Sequence, residues 1–91
     1  MSLDVQHDRA AQAFVAMADG ERCVLEYRLV GTSMTITHTG VPAAVGGRGI
    51  AGGLMRAALD AARAHGWKVV PACSYAQAFF DRQTEYADLL A

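Results

Sequence analysis

The chain is poor in the features that announce a specialised class of protein. It has two cysteines, Cys23 and Cys73, too few for a disulfide scaffold. The reading is therefore a reduced, cytoplasmic domain, with a single Cys23–Cys73 bridge left open by the sequence. Neither charge dominates: 8 basic residues face 9 acidic ones, a net charge of −1. A dedicated nucleic-acid binder normally shows a basic stripe, so no nucleic-acid partner is expected. No apolar run approaches the roughly 18 residues of a membrane span. The opening Met1-Ser2-Leu3-Asp4-Val5 lacks the basic start and apolar stretch of a secretory signal.

What is present is a chain of 91 residues in which 53% are hydrophobic. That length suits one domain, residues 1–91, with a thin core. Eighteen of the apolar residues are alanines. Larger side chains such as Leu25, Leu29, Ile36, Leu54, Leu59, Val69, Val70, Phe79 and Phe80 must supply most of the burial. There is no internal repeat and no linker.

The front half reads as a β-meander. Ala11–Ala18 is an apolar run ending at Asp19-Gly20, a hairpin signal because both residues tolerate positive φ. Cys23, Leu25, Tyr27 and Leu29 then alternate with Val24, Glu26, Arg28 and Val30. A turn at Val30–Ser33 leads to a strand in which Met34, Ile36 and His38 share one face. A loop follows from Gly40 to Gly49. From Ile50 to about His65 the spacing turns helical, with Ile50, Leu54, Ala58 and Ala62 four apart and Gly66 as the stop. Trp67–Pro71 reads as a buried strand, Ser74 as the cap of a helix from Tyr75 to about Arg82, and Thr84 as the cap of a last turn. The order β-β-β-loop-α-β-α gives an α/β (α+β) fold: an antiparallel meander, a crossover helix, a strand parallel to the third, and C-terminal helices.

The chemistry concentrates in Gly46-Gly47-Arg48-Gly49-Ile50-Ala51, at the entry to the long helix. Glycines let the backbone present successive N–H groups to an anion, and the helix start adds unpaired N–H groups and partial positive charge. Arg48 adds a cation. A phosphate or pyrophosphate is the ligand class this favours. The Walker loop fails, because no Gly-Lys pair exists. Gly47–Gly52 matches G-x-G-x-x-G literally. The loop, however, is long, and Val69-Val70-Pro71 offers no carboxylate for a ribose. A third pattern is the acyl-CoA loop, [Q/R]-x-x-G-x-[G/A]: Gly49 and Ala51 match, while Gly46 stands where Arg or Gln is usual.

Beyond that loop, residues 36–90 resemble the short, single-domain branch of the GNAT acetyltransferases. The resemblance rests on His38-Thr39-Gly40-Val41-Pro42, on Val69-Val70-Pro71-Ala72-Cys73-Ser74-Tyr75 and on Thr84-Glu85-Tyr86. The branch commonly has Glu at Gly40 and His-Pro at Gln83-Thr84. The resemblance implies acetyl-CoA bound by Val41, Gly46, Gly47, Arg48, Gly49, Ile50, Ala51 and Cys73, with no metal, and direct transfer of acetyl to an amine acceptor, a small molecule or peptide. Cys73 becomes a candidate nucleophile, relay or pocket wall, and His38 a candidate base or positioning residue. Tyr75 and Tyr86 are candidates for protonating the leaving thiolate, and Glu85 is a further carboxylate. Cys23 and Trp67 read as core. Arg56, Arg63 and Lys68 read as solvated. The rival readings are a CoA-binding module without catalysis and a nucleotide-binding domain using Gly47–Gly52. A monomer or weak homodimer is expected.

Overall fold

A computed structural model describes residues 3–91; Met1-Ser2, part of the segment read for a secretory signal, lies outside them. One five-stranded sheet runs in sequence order: β1 (Val5–Asp8), β2 (Ala13–Ala18), β3 (Glu21–Val30), β4 (Ser33–Gly40) and β5 (Lys68–Pro71). The first four pair antiparallel, and β5 runs parallel to β4 through Ser33↔Lys68 to Ile36↔Pro71. The helix α1 (Ile50–His65) makes the crossover and α2 (Ser74–Arg82) follows β5, with 3₁₀ turns at Ala43–Val45 and Thr84–Leu89. No described helix is long and apolar enough to cross a membrane.

The sequence reading gave no strand before Ala11. Val5–Asp8 is short and half polar, and its turn into β2 carries neither glycine nor proline. Side chains build that turn instead. Asp8 Oδ1 accepts from the Ala11 N–H at 3.0 Å, and Gln12 adopts φ 55° while its Oε1 accepts from the Leu29 N–H at 2.7 Å. The Asp19-Gly20 hairpin forms as expected, with both residues at positive φ, 50° and 77°.

Helices cover one face of the sheet. Cys23, Leu25, Met34, Ile36 and Val69 meet Leu54, Met55, Ala58, Leu59 and Ala62 of α1 with no solvent exposure. Burying a Leu, Ile or Met side chain stabilises by about 1.5–3 kcal/mol, so this layer carries the fold. The opposite face bears Arg22, Glu26, Arg28, Val30 and Val70. Val70, expected inside, is 37% exposed because β5 is covered on one side only. Leu29 is half-buried, and Trp67 is buried as expected, under Arg9 and the stacked ring of His65.

Residues 84–90 pack back on α1. Arg56 pairs with Glu85 at 3.2 Å, Arg63 with Asp88 at 2.7 Å, and Lys68 Nζ donates to the Asp88 carbonyl at 2.7 Å. These side chains read as merely solvated; they are exposed but partnered. Arg63 also holds the Asp88 carboxyl below its usual range.

Candidate active site

The elements that matter meet at one end of the sheet. At the start of α1, Gly49 sits at the N-cap with φ 76°, and Gly47 has φ 79°. Both lie in the left-handed region, which glycine adopts without strain. Gly46 does not: its φ is −65° and ψ 157°, open to any residue. No side chain caps the helix, and its first turn carries no acidic residue. The N–H groups of Ile50, Ala51 and Gly52 therefore open a sixteen-residue helix whose dipole favours an anion there. A Cβ at Gly47 or Gly49 would meet nothing within 4 Å, so the loop is an open cradle. The residues present fit a pyrophosphate.

Arg48 does not point its charge into that cradle alone. Its Nη1 donates to Asp19 Oδ2 at 2.6 Å, across to the β2–β3 turn. Ile50 is buried, while Ala51 and Val41 are half-buried at the mouth of the site.

β4 and β5 part company next to this loop. Their ladder ends at Ile36↔Pro71, and the Ile36 carbonyl accepts from both the Ala72 and Cys73 N–H groups, each at 3.1 Å. Beyond that point the two strands no longer pair, and Thr39 Oγ1 and Cys73 Sγ stand 3.8 Å apart, within reach of a weak hydrogen bond. Cys73, not Ser74, caps α2: its Sγ accepts from the Ala76 N–H at 3.4 Å. Both cysteines are free thiols, Cys23 buried and Cys73 half-buried, so no bridge forms.

His38 departs from the expected face. Glu26 pairs with His38 but Tyr27 pairs with Ile36, leaving Thr37 as an extra residue in β4. Such a bulge shifts the alternation by one. Thr39 consequently lies opposite Leu25 on the helix side, and His38 lies opposite Glu26 on the exposed face.

Two cavities flank the first turn of α1. The larger, about 450 Å³, lies toward β2, between Leu3, Asp4, Met17, Asp19, Arg48 and Ile50. The smaller, about 180 Å³, lies between α1 and α2 and is lined by Gly52, Arg56, Tyr75, Phe79, Arg82 and Gln83. Tyr75 belongs to this second flank, its hydroxyl 3.6 Å from where a Gly52 Cβ would stand. Burial pushes its phenol pKa up, against the opposing pull of Arg82 and Arg56. Arg82 was missed in the sequence, although the 75/79/82 spacing puts it on the α2 face that looks at α1. At Gly53 the close neighbour is Leu3, whose Cδ2 would lie 2.7 Å from an added Cβ.

Tyr86 and Glu85 stand behind the smaller cavity and line neither one. Tyr86 is buried with its hydroxyl 3.5 Å from Asp60. Asp60 lies ten residues into α1, about 15 Å along its axis from Ile50. Glu85 is engaged by Arg56. Thr84 makes no side-chain cap to the final turn.

The comparisons agree with this geometry. The family description GCN5-related N-acetyl-transferase matches residues 13–89. Protein NATD1 of Gallus gallus is 39% identical over 80 residues, covering 85% of this chain and 73% of that protein. Protein NATD1 of Homo sapiens is 40% identical over 78 residues, covering 82% and 69%. A GCN5-like protein of Staphylococcus aureus, solved in solution by NMR, superposes with a TM-score of 0.77 at 26% identity, covering 98% of this chain and 88% of that one. The dinucleotide reading is set aside: residues 41–49 intervene between β4 and α1, and the strand before the loop is antiparallel to β3. By its fold, its glycine-cradled helix start and these matches, the chain belongs to the GCN5-related N-acetyltransferase family.

Proposed function

We propose that this chain is an acetyl-CoA-dependent N-acetyltransferase that passes acetyl directly from the thioester to an amine. The observation that carries this reading is the juxtaposition of two features at one end of the sheet: the uncapped start of α1 at Gly49, and the parting of β4 and β5 beside Cys73. Bound acetyl-CoA would supply a thioester carbonyl open to attack by an amine.

The residues divide the work. Gly46, Gly47, Arg48 and Gly49, with the N–H groups of Ile50 and Ala51, hold the pyrophosphate. Val41 and Cys73 line the place where β4 and β5 part. Tyr75 supports proton delivery to the departing sulfur. Cys73 acts as a wall of the site, because its sulfur already accepts the Ala76 N–H as the cap of α2.

A second reading, a CoA-binding module without useful turnover, is favoured by one observation. The loop lacks a charged side chain at Gly46, and its one arginine is engaged by Asp19.

Calorimetric titration with acetyl-CoA, with free CoA and NAD as competitors, tests the reading. Acetyl-CoA binding displaced by CoA but not NAD is expected, followed by thiol release in the presence of an amine panel. Binding without release across that panel would leave the module reading standing. The Gly49→Val variant should lose acetyl-CoA binding, because a β-branched residue at φ 76° is strained and narrows the cradle. A folded Gly49→Val protein with unchanged affinity would remove the glycine loop from the site.

A further inference from the structure

Leu3 sits in a hollow that a glycine leaves in the first turn of α1. A side chain on Gly53 would push the leucine aside. Leu3 and Asp4 form one wall of the larger cavity, and Gly49, Ile50 and Gly53 form the wall across from it. Leu3 and Asp4 lead into β1, the edge strand, which pairs with β2 alone, from Val5↔Ala16 to Asp8↔Ala13. Beyond β1 the chain is anchored. Gln12 accepts the Leu29 N–H through its side chain at 2.7 Å and the Tyr27 N–H through its carbonyl at 3.0 Å. Among the described residues, β1 makes one side-chain hydrogen bond to another strand, between His7 Nε2 and the Tyr27 hydroxyl at 2.7 Å. Groups from four directions face that imidazole: Asp8 and Arg9 along its own chain, Phe14 on β2, Tyr27 on β3, and His65 at the end of α1. Arg9 and His65 both lie against Trp67, at 5.4 Å and 4.7 Å from its ring. A proton on His7 therefore adds a cation beside Arg9 and His65. One carboxylate, Asp8, offsets it, and that carboxylate is engaged by the Ala11 N–H.

We infer that residues 3–8 are a pH-sensitive strap: docked, they brace the first turn of α1 and close the larger cavity on one side, and when His7 takes up a proton they lift from β2, turning about residues 9–12. The sign follows from the surroundings of the ring. Undocked, the imidazole is solvated and binds its proton with ordinary affinity. Docked, it meets partial burial and like charge. Docking therefore weakens as pH falls through about 6.5. One proton is coupled, so the docking equilibrium changes by at most about tenfold per pH unit. The first turn of α1 feels the loss, because Gly53, on which Leu3 rests, donates its N–H to the Gly49 carbonyl at 3.0 Å. A ligand held at that turn and a docked strap then favour one another by the same factor. Only this last consequence rests on the acetyl-CoA reading above; the strap itself does not.

Amide hydrogen exchange of the full chain, read residue by residue by NMR at about pH 8 and about pH 5.5, tests the strap, with each rate referred to that of an unfolded peptide at the same pH. In the wild-type protein, residues 5–8 are expected to lose protection several-fold at the lower pH. Gly53 and Leu54 should lose it with them, while residues 23–27 of β3 keep theirs. His7→Gln can still hydrogen-bond Tyr27 but does not titrate, so its residues 5–8 should show no such change. Leu3→Ala should loosen Gly53 and Leu54 at both pH values and leave the pH step of residues 5–8 in place. Protection of residues 5–8 that stays level in the wild type, falls equally in His7→Gln, or falls only together with β3 overturns the strap. Acetyl-CoA titrated at the same two pH values should lose several-fold more affinity for the wild type than for His7→Gln on acidification. No acetyl-CoA binding by either protein at either pH overturns the cofactor reading and not the strap, which the exchange rates decide.

Discussion

Arg48 of the glycine loop reaches Asp19 in the β2–β3 turn, with 2.6 Å between guanidinium nitrogen and carboxylate oxygen. The pair ties the loop that opens α1 to the β2–β3 hairpin at the same end of the sheet. It also sets a carboxylate against the loop's single cation. An anionic ligand at the start of α1 has to compete with Asp19 for that guanidinium.

Asp19→Asn should therefore tighten acetyl-CoA binding. Asparagine tolerates the positive φ of this position, so the hairpin is kept. Both partners are half-exposed or more, and exposed pairs are worth up to about 1 kcal/mol, so the gain should not exceed about 5-fold. Titrations at low and high salt check it, since screening should shrink the difference. Weaker binding by the variant would show that Asp19 presents Arg48 to the ligand rather than withholding it.

Gly46→Arg should also tighten binding. The backbone at position 46 is extended, and the nearest atom to an added Cβ would be the Ala43 carbonyl oxygen at 3.4 Å, so a side chain is admitted. A charge-assisted hydrogen bond to the pyrophosphate is worth about 1.5–3 kcal/mol, or roughly 10- to 150-fold in Kd. Calorimetry with acetyl-CoA reads it directly. Unchanged affinity would mean that the anion sits nearer Gly49 and Ala51 than Gly46.

Cys73→Ser should keep the cap of α2 and most of the stability. Cys73→Ala should lose about 0.5–1 kcal/mol with the cap. Thermal unfolding of the two variants measures the difference. Both should retain acetyl transfer, and mass spectrometry of the wild-type protein incubated with acetyl-CoA should show no acetylated Cys73. A stable acetyl adduct together with inactive variants would instead make Cys73 a covalent nucleophile.

Folding stability should fall on mild acidification through His7. Its ring stacks on Phe14 at 4.0 Å and shares a 2.7 Å hydrogen bond with the buried Tyr27 hydroxyl, fastening β1 to the sheet. Burial first, then the like charges of Arg9 and His65, push the His7 pKa below 6.5, against a smaller opposing pull from Asp8. The unfolded chain then binds more protons than the native one as pH falls through about 6.5, so stability declines with falling pH in that window and levels off below the native pKa. His7→Gln should flatten that part of the profile, as read by denaturant melts between about pH 5 and 8. A profile steeper in the variant would contradict the sign.

The extent and type of the large elements were legible in the sequence because they follow from local pattern. Four-residue spacing from Ile50 to Ala62, strict alternation from Cys23 to Leu29, and the Asp19-Gly20 and Gly66 signals are properties of neighbouring residues. They fixed α1 and the β2–β3–β4 meander. The glycine loop was legible for the same reason: a run of small residues before a helix has few physical uses. β1 escaped because it is four residues long, and its turn is built from the Asp8 and Gln12 side chains instead of from glycine or proline.

The composition of the site was decided in three dimensions. A bulge is a mismatch between two strands, and no single strand's pattern contains it. Extrapolated alternation therefore put His38 beside Ile36, when Thr37 turns it away and brings Thr39 inward. The N-cap of α2 went to Cys73 because pairing with Ile36 sets where the chain leaves β5. Tyr75 and Tyr86 were equivalent in sequence. Packing separated them by sending one to the mouth of the smaller cavity and the other to the middle of α1. The sequence by itself determined the large elements and the glycine run at the entry to α1. Only the pairing of strands and the docking of helices decided which side chains share that place, because contacts between distant residues depend on register and not on local propensity.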